Sequence, residues 1–405
     1  MAIREYDIKN KIRYLDSEAQ GVVKSTKYFP VFEELGEEKI FKPLSKTKPY
    51  STPLFAYSEV YWSYLIKKYI DKETPQYHIA ICHGLEKEQP KYYEKGTIVK
   101  NILKKDEKLI NLLELFKKYP DSVDINEYVN YCEVQYDYET ILKSKFFMEH
   151  KDLGEGLAKQ ILCSILRRDD NFHYENVNFI EKNNEIIKIA PIIDQEFSQM
   201  FMHPDNLEKH KEKFSLYDEG MGPIYDYNDD FNFDTNYSLF LDKLNNGSIY
   251  DELDPCNYHN LRKNIKTITE LYPKMCEEFL KQLKKLRLEV LNLKIDFNDE
   301  YLDTFSSIDW IPTRMLLKEN KKESDEEYIK ALNNSRNSKI KLDKIEFNKR
   351  LKKEVVWSID KLLYILKLYL DINKGKSSAI LDYQNKTLYD KVERIDEKNL
   401  NEVYK

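Results

Sequence analysis

The spacing of hydrophobic and polar positions changes rhythm near residue 98. Before it, short apolar runs alternate with turns. Residues 21–32 (GVVKSTKYFPVF), 37–44 (EEKIFKPL), 77–85 (YHIAICHGL) and 91–102 (KYYEKGTIVKNI) predict strands, and 52–71 (TPLFAYSEVYWSYLIKKYID) predicts one principal helix. After it the period is helical. Helices are predicted over 106–119 (DEKLINLLELFKKY), 154–168 (GEGLAKQILCSILRR), 257–293 and 351–372, with one hairpin interposed at 177–189. Residues 215–238 are acidic, aromatic and Gly-containing and read as a long irregular excursion, and 318–344 are charge-dense, suiting a solvated helix or a linker. The expected organisation is α+β: a small sheet lobe over 1–98, a larger helical lobe over 99–300 and a helical extension over 301–405.

The hairpin carries the first candidate chemistry. Asn183-Asn184 suits a two-residue turn with positive φ at both positions, which pairs Val177 with Ala190 and Asn176 with Pro191. Asp194 follows three residues beyond. Asn176 and Asp194 together offer the oxygen ligands that Mg²⁺ prefers, with water and phosphate completing its shell. Just upstream, Asp169, Asp170 and His173 follow the end of a predicted helix, where a carboxylate could orient a hydroxyl toward a metal-held phosphate. Asp and Asn also populate ordinary loops. The ordered set of helix, Asp, Asn, hairpin and Asp is what sets this stretch apart.

The order Asp, then His173-Tyr174-Glu175-Asn176, then two strands, then Ala190-Pro191-Ile192-Ile193-Asp194 resembles the catalytic and metal-binding segment of the HipA-like serine/threonine kinases. These are relatives of the protein-kinase and phosphoinositide-kinase fold. The resemblance implies a two-lobed kinase fold that binds ATP and Mg²⁺, with Asn176 and Asp194 as metal ligands. It also implies a protein substrate and, as in bacterial toxins of the family, an antitoxin partner. One position departs from the pattern. The family's catalytic Asp aligns with Asn171, and Asp170 stands one residue early, so a one-residue insertion would make Asp170 the proton acceptor.

A kinase needs a strand Lys for the nucleotide phosphates and a helix Glu to hold it. Lys42 closes the predicted strand EEKIFKPL, and Glu59 follows 17 residues later in the principal helix. At 100° per residue Glu59 falls at the edge of the apolar arc, beside Phe55, Trp62 and Ile66, a placement shared by ordinary boundary carboxylates. No G-x-G-x-x-G occurs. EAQGVVKST resembles the single-Gly phosphate loop of the family, with Gly21, Lys24 and Ser25 as candidate phosphate contacts, and YYEKGTIVK is a candidate hinge where the backbone around Glu94 and Gly96 would pair with adenine.

Other clusters have simpler explanations. A solvated helix start accounts for His203, Asp205, Glu208 and His210, and Cys82 and His83 point to opposite faces of one strand. Gly154-Glu155-Gly156 precedes the predicted helix and could cradle an anion, though a helix start needs no ligand. Arg167 and Arg168 read as a cap on a helix C-terminus.

Composition narrows the reading. With 34% charged residues but 31 Tyr and 19 Phe, the 405-residue chain has enough apolar surface to fold into more than one core. A net charge of −6 argues against a general nucleic-acid binder. No stretch reaches the length of a membrane span, the N-terminus has no apolar leader core, and five Cys without a CxxC fit a reducing compartment, so the expected location is cytoplasmic. The expected activity is ATP- and Mg²⁺-dependent serine/threonine phosphorylation. Its alternatives are a small-molecule phosphotransferase on the same scaffold, and an inactive pseudokinase or helical interaction module.

Overall fold

The computed structural model describes residues 3–15, 29–45, 53–119, 138–167, 174, 176–193, 258–292 and part of 352–375. The chain is α+β. Two compact units emerge, one built on residues up to Leu112 together with the hairpin after Tyr174, the other on helices from Leu113 onward.

The first unit holds a six-stranded mixed sheet in the order β1-β5-β6-β4-β3-β2. Its strands are β1 (Arg4–Asp7), β2 (Arg13–Leu15), β3 (Phe29–Glu34), β4 (Glu37–Ser45), β5 (His78–His83) and β6 (Tyr92–Lys100). Only β1 runs parallel to its neighbour, β5; the other pairs are antiparallel. Leu35 and Gly36, both at positive φ, make the two-residue turn that folds β3 onto β4. Helix α1 (Pro53–Tyr69) starts on a proline, whose fixed φ suits a first helical position, and ends near Lys67 and Lys68, which complement its C-terminal dipole. It packs on β5 and β6. One sheet face buries Ile8, Phe32, Phe41, Ala80, Cys82 and Ile98 as a core, closed by Leu85 of the short helix α2 (Leu85–Glu88).

A second, three-stranded sheet in the same unit runs β7-β8-β9, with β7 at Glu107–Asn111, β8 at Asn178–Lys182 and β9 at Glu185–Ile189. The sequence pattern predicts a helix across 106–119; instead Glu107–Asn111 pairs along the whole of β8, and helix α3 (Leu112–Lys118) begins only after it. Local periodicity cannot distinguish these outcomes, because Leu109 and Ile110 fit either period and the deciding partner lies about 70 residues away. The Asn183-Asn184 turn forms as the sequence predicts, with φ of 52° and 66°. The register does not hold along the hairpin. Lys182 faces Glu185 and Glu181 faces Ile186, but a bulge follows, and Ile180 faces Lys188. Asn178 then accepts from the backbone N–H of Ala190, so the expected Val177–Ala190 pairing is displaced by one residue.

The second unit is helical. It comprises α4 (Tyr138–Leu142), α5 (Lys145–Glu149), α6 (Lys151–Arg167), α7 (Tyr258–Leu271) and α8 (Pro273–Asn292), plus helical residues within 352–373. The continuous pattern over 257–293 breaks before Pro273, as proline requires. Leu157, Ile161, Ile268, Phe279 and Leu283 are buried, and so are Ile359, Leu362 and Leu366 of the last segment. That segment is tied to α7 and α8 by Asn373 donating to Thr269 and by a Lys374–Glu277 ion pair of 2.7 Å. Gly154 lies inside α6, not ahead of it. A Cβ there would sit 2.1 Å from the Tyr272 hydroxyl, so this glycine serves helix packing. Among the described residues no helix is long and apolar enough to cross a membrane.

Candidate functional site

Three elements of the first unit meet at one carboxylate. Lys42 on β4 and Thr97 on β6 are cross-strand partners, so their side chains rise from the same sheet face. Glu59, on the second turn of α1, takes both. One oxygen accepts from Lys42 Nζ at 3.2 Å and the other from the Thr97 hydroxyl at 2.8 Å. The Glu59 side chain is 2% exposed and that of Lys42 16%, so the carboxylate is spent inside the protein while the lysine side chain is less completely enclosed.

Glu59 does not lie at the edge of an amphipathic arc. Every residue from 56 to 63 is buried, so this part of α1 is enclosed on all sides and its one carboxylate needs internal partners. A buried pair of this kind adds little net stability, because desolvation offsets the attraction. Breaking it from one side is expensive, since the other charge is left stranded.

Glu94 and Gly96, the candidate hinge residues, sit within β6. Gly96 is paired on both sides, with Pro43 and with Ala80. A Cβ on it would stand 2.2 Å from the Lys42 carbonyl oxygen, so glycine is what lets β6 approach β4 this closely beside Lys42. Glu94 accepts from the Gly84 backbone N–H at 2.6 Å, securing the turn into α2. Both residues shape the sheet around the Lys42–Thr97 pair.

At the open end of the β8–β9 hairpin, Asn176 is half-buried, and its carbonyl accepts from the Asn178 side-chain amide at 3.2 Å. The bulge moves Asn176 opposite the neighbourhood of Ile192. Leu109, Ile180 and Ala190 form a small apolar cluster here, flanked by Ile102, Leu103 and Ile193. Gly21, Lys24, Ser25, Asp169, Asp170, Asn171, His173 and Asp194 lie outside the described residues, as do His203 and His210.

No protein-family model and no curated protein matches the chain. Among similar solved structures is the crystal structure of a Helicobacter pylori proinflammatory kinase, CtkA, at 13% identity and TM-score 0.39 over 87% of this chain and 98% of that one. This similarity is too low to assign a fold.

Thr97 is the site residue that sequence reasoning overlooks. Its signal is faint: a threonine next to the one glycine of a strand, with no spacing rule linking it to Glu59. The remaining clusters carry no chemistry of their own. Burial pushes the Cys82 thiol up to about 12, which keeps it protonated, while His83 points outward to Glu5 at 3.2 Å. Among the described residues, no group of His, Cys, Asp and Glu has the makings of a metal site.

Proposed function

We propose that the chain is an ATP- and Mg²⁺-dependent phosphotransferase of the HipA-like kinase type, acting on a serine or threonine hydroxyl of a protein. The observation that carries this reading is the buried Glu59 carboxylate, which fixes a strand lysine from a helix while a cross-strand threonine holds its second oxygen. An enclosed helix has no structural need for a carboxylate at that point, but a lysine that must be aimed does need one.

The residues present fit a nucleotide phosphate. Lys42 is held by Glu59 while its side chain remains 16% exposed, so the aimed ammonium is a cation that could meet a phosphate oxygen. Lys42 would bind phosphate oxygens, Glu59 and Thr97 would orient Lys42, and Asn176 with Asp194 would hold the metal. Gly21, Lys24 and Ser25 would supply further phosphate contacts. Bound MgATP would supply the transferable phosphoryl group, with Mg²⁺ offsetting part of the phosphate charge. Asp170 would take the proton of the acceptor hydroxyl, with the one-residue offset from the family position absorbed by the loop. An antitoxin-type partner belongs to the same reading.

Thermal unfolding with and without MgATP tests it, since a ligand that binds only the native state raises Tm. ATP with Mg²⁺ should raise Tm more than ATP alone, and Asp194→Ala should abolish most of that metal-dependent increment without changing the apo Tm. An unchanged increment in the variant removes Asp194 from the site.

A further inference from the structure

Away from the Lys42–Glu59 pair, the first unit contains a groove of about 1300 Å³. That exceeds the roughly 300–1,000 Å³ usual for a single small molecule. Among the described residues ten basic side chains line it against four carboxylates, and two of the ten, Arg4 and Lys108, pair with Glu34 and Glu181 beside the lining, which leaves a local excess of four positive charges in a chain whose net charge is −6. The carboxylates are already engaged. Glu38 pairs with Arg13 at 2.6 Å, Glu73 with Lys188 at 2.6 Å and Glu37 with Lys39 and Lys100, while Glu107 accepts from the Lys104 backbone.

Four lysines are left over. Lys67, Lys72, Lys104 and Lys105 are exposed on the rim and have no carboxylate partner among the described residues. His78 is also in the lining. Burial, together with the cations Arg4, Lys39 and Lys67, pulls its pKa down to about 4. The lining also includes the apolar residues Leu15, Ile98, Val99, Ile102, Leu103 and Ile180.

We infer that this groove docks an acidic, partly apolar segment of a partner protein. Carboxylates of the segment meet the four unpaired lysines while its apolar side chains lie against the isoleucines and leucines of the lining. Nucleic acid fits less well. Among the described residues no Phe, Tyr or Trp lines the groove, so unstacked bases would have no aromatic platform there, and apolar lining residues give nothing to a phosphate backbone. The inference rests on the groove alone and is independent of phosphotransfer.

Fluorescence anisotropy with a fluorescein-labelled peptide of Glu-Glu-Leu repeats tests it on the full chain. The peptide should bind at low salt, more weakly as salt rises and more weakly still when Ser replaces its Leu residues. The variant Lys67→Glu/Lys72→Glu/Lys104→Glu/Lys105→Glu should bind at least about tenfold less tightly. Lys143→Glu/Lys145→Glu, which reverses two exposed lysines of the helical unit, should bind like wild type. All four groove positions are exposed, and an unchanged Tm verifies folding; if it falls, the Lys67/Lys72 and Lys104/Lys105 double variants replace the quadruple one. Equal binding by wild type and groove variants, tighter binding of oligo(dT) than of the peptide, or indifference to the Leu-to-Ser change overturns the inference.

Discussion

Two sets of lysines in one unit of this protein serve opposite ends. Lys42 is mostly buried, with its direction set by Glu59, which Thr97 fixes in turn. Lys67, Lys72, Lys104 and Lys105 stand exposed around a groove with no carboxylate to hold them among the described residues. A lysine fixed by a buried carboxylate can place its charge on one atom of a ligand. Loose lysines create a field that favours any complementary anion and fixes no geometry. The first arrangement suits chemistry and the second suits docking.

Stability should separate the two sets most sharply. Lys42→Ala strands the buried Glu59 carboxylate and should cost about 3 kcal/mol or more, whereas Lys67→Ala should stay within about 0.5 kcal/mol. Replacing both members of the pair, as in Lys42→Met/Glu59→Leu, should recover much of the loss, because an apolar pair carries no desolvation cost. Urea denaturation measures all three. Equal costs at Lys42 and Lys67 would remove the distinction.

A smaller effect should appear with pH. The folded-state pKa of His78, about 4, lies below the 6.5 of a free imidazole, so the unfolded chain takes up the proton first on acidification. The contribution of His78 to stability is therefore complete above pH 6.5, declines from 6.5 to about 4 and is level below that. Wild type and His78→Gln should have parallel Tm curves above pH 6.5, with wild type falling faster between 6.5 and 4. Curves that stay parallel throughout would mean that burial and the nearby cations do not disfavour the protonated imidazole in the folded protein.

Much of this is legible in the sequence alone. Strand periodicity located β4, β5 and β6, and the 17-residue interval joined Lys42 to Glu59, because a strand, a short connection and two helical turns leave few alternatives. The Asn-Asn turn announced itself through residues that tolerate positive φ. What stayed hidden depended on distant partners. β7 takes its conformation from β8, β1 from β5, and the bulge after Glu181 shifts the register that the turn alone would impose. Gly96 looked like a hinge because a glycine in a strand is ambiguous. Only the 2.2 Å between its absent Cβ and the Lys42 carbonyl shows that it serves close strand packing. The groove is invisible for the same reason: its lysines come from α1, β4, β6, β7, β9 and the connections around them, and no window of sequence contains the excess charge.

The most direct test of the proposed activity is transfer of label from γ-³²P-ATP with Mg²⁺ to a panel of protein and small-molecule hydroxyl acceptors, with wild type and Asp170→Asn side by side. Wild type should label a protein serine or threonine, and Asp170→Asn should lower the rate by at least about 100-fold while ATP affinity is retained, since general-base assistance is worth about 10²- to 10⁴-fold. Near-normal turnover by Asp170→Asn would contradict the assignment of the proton acceptor, and a wild type that binds MgATP but transfers no label would contradict the phosphotransferase itself.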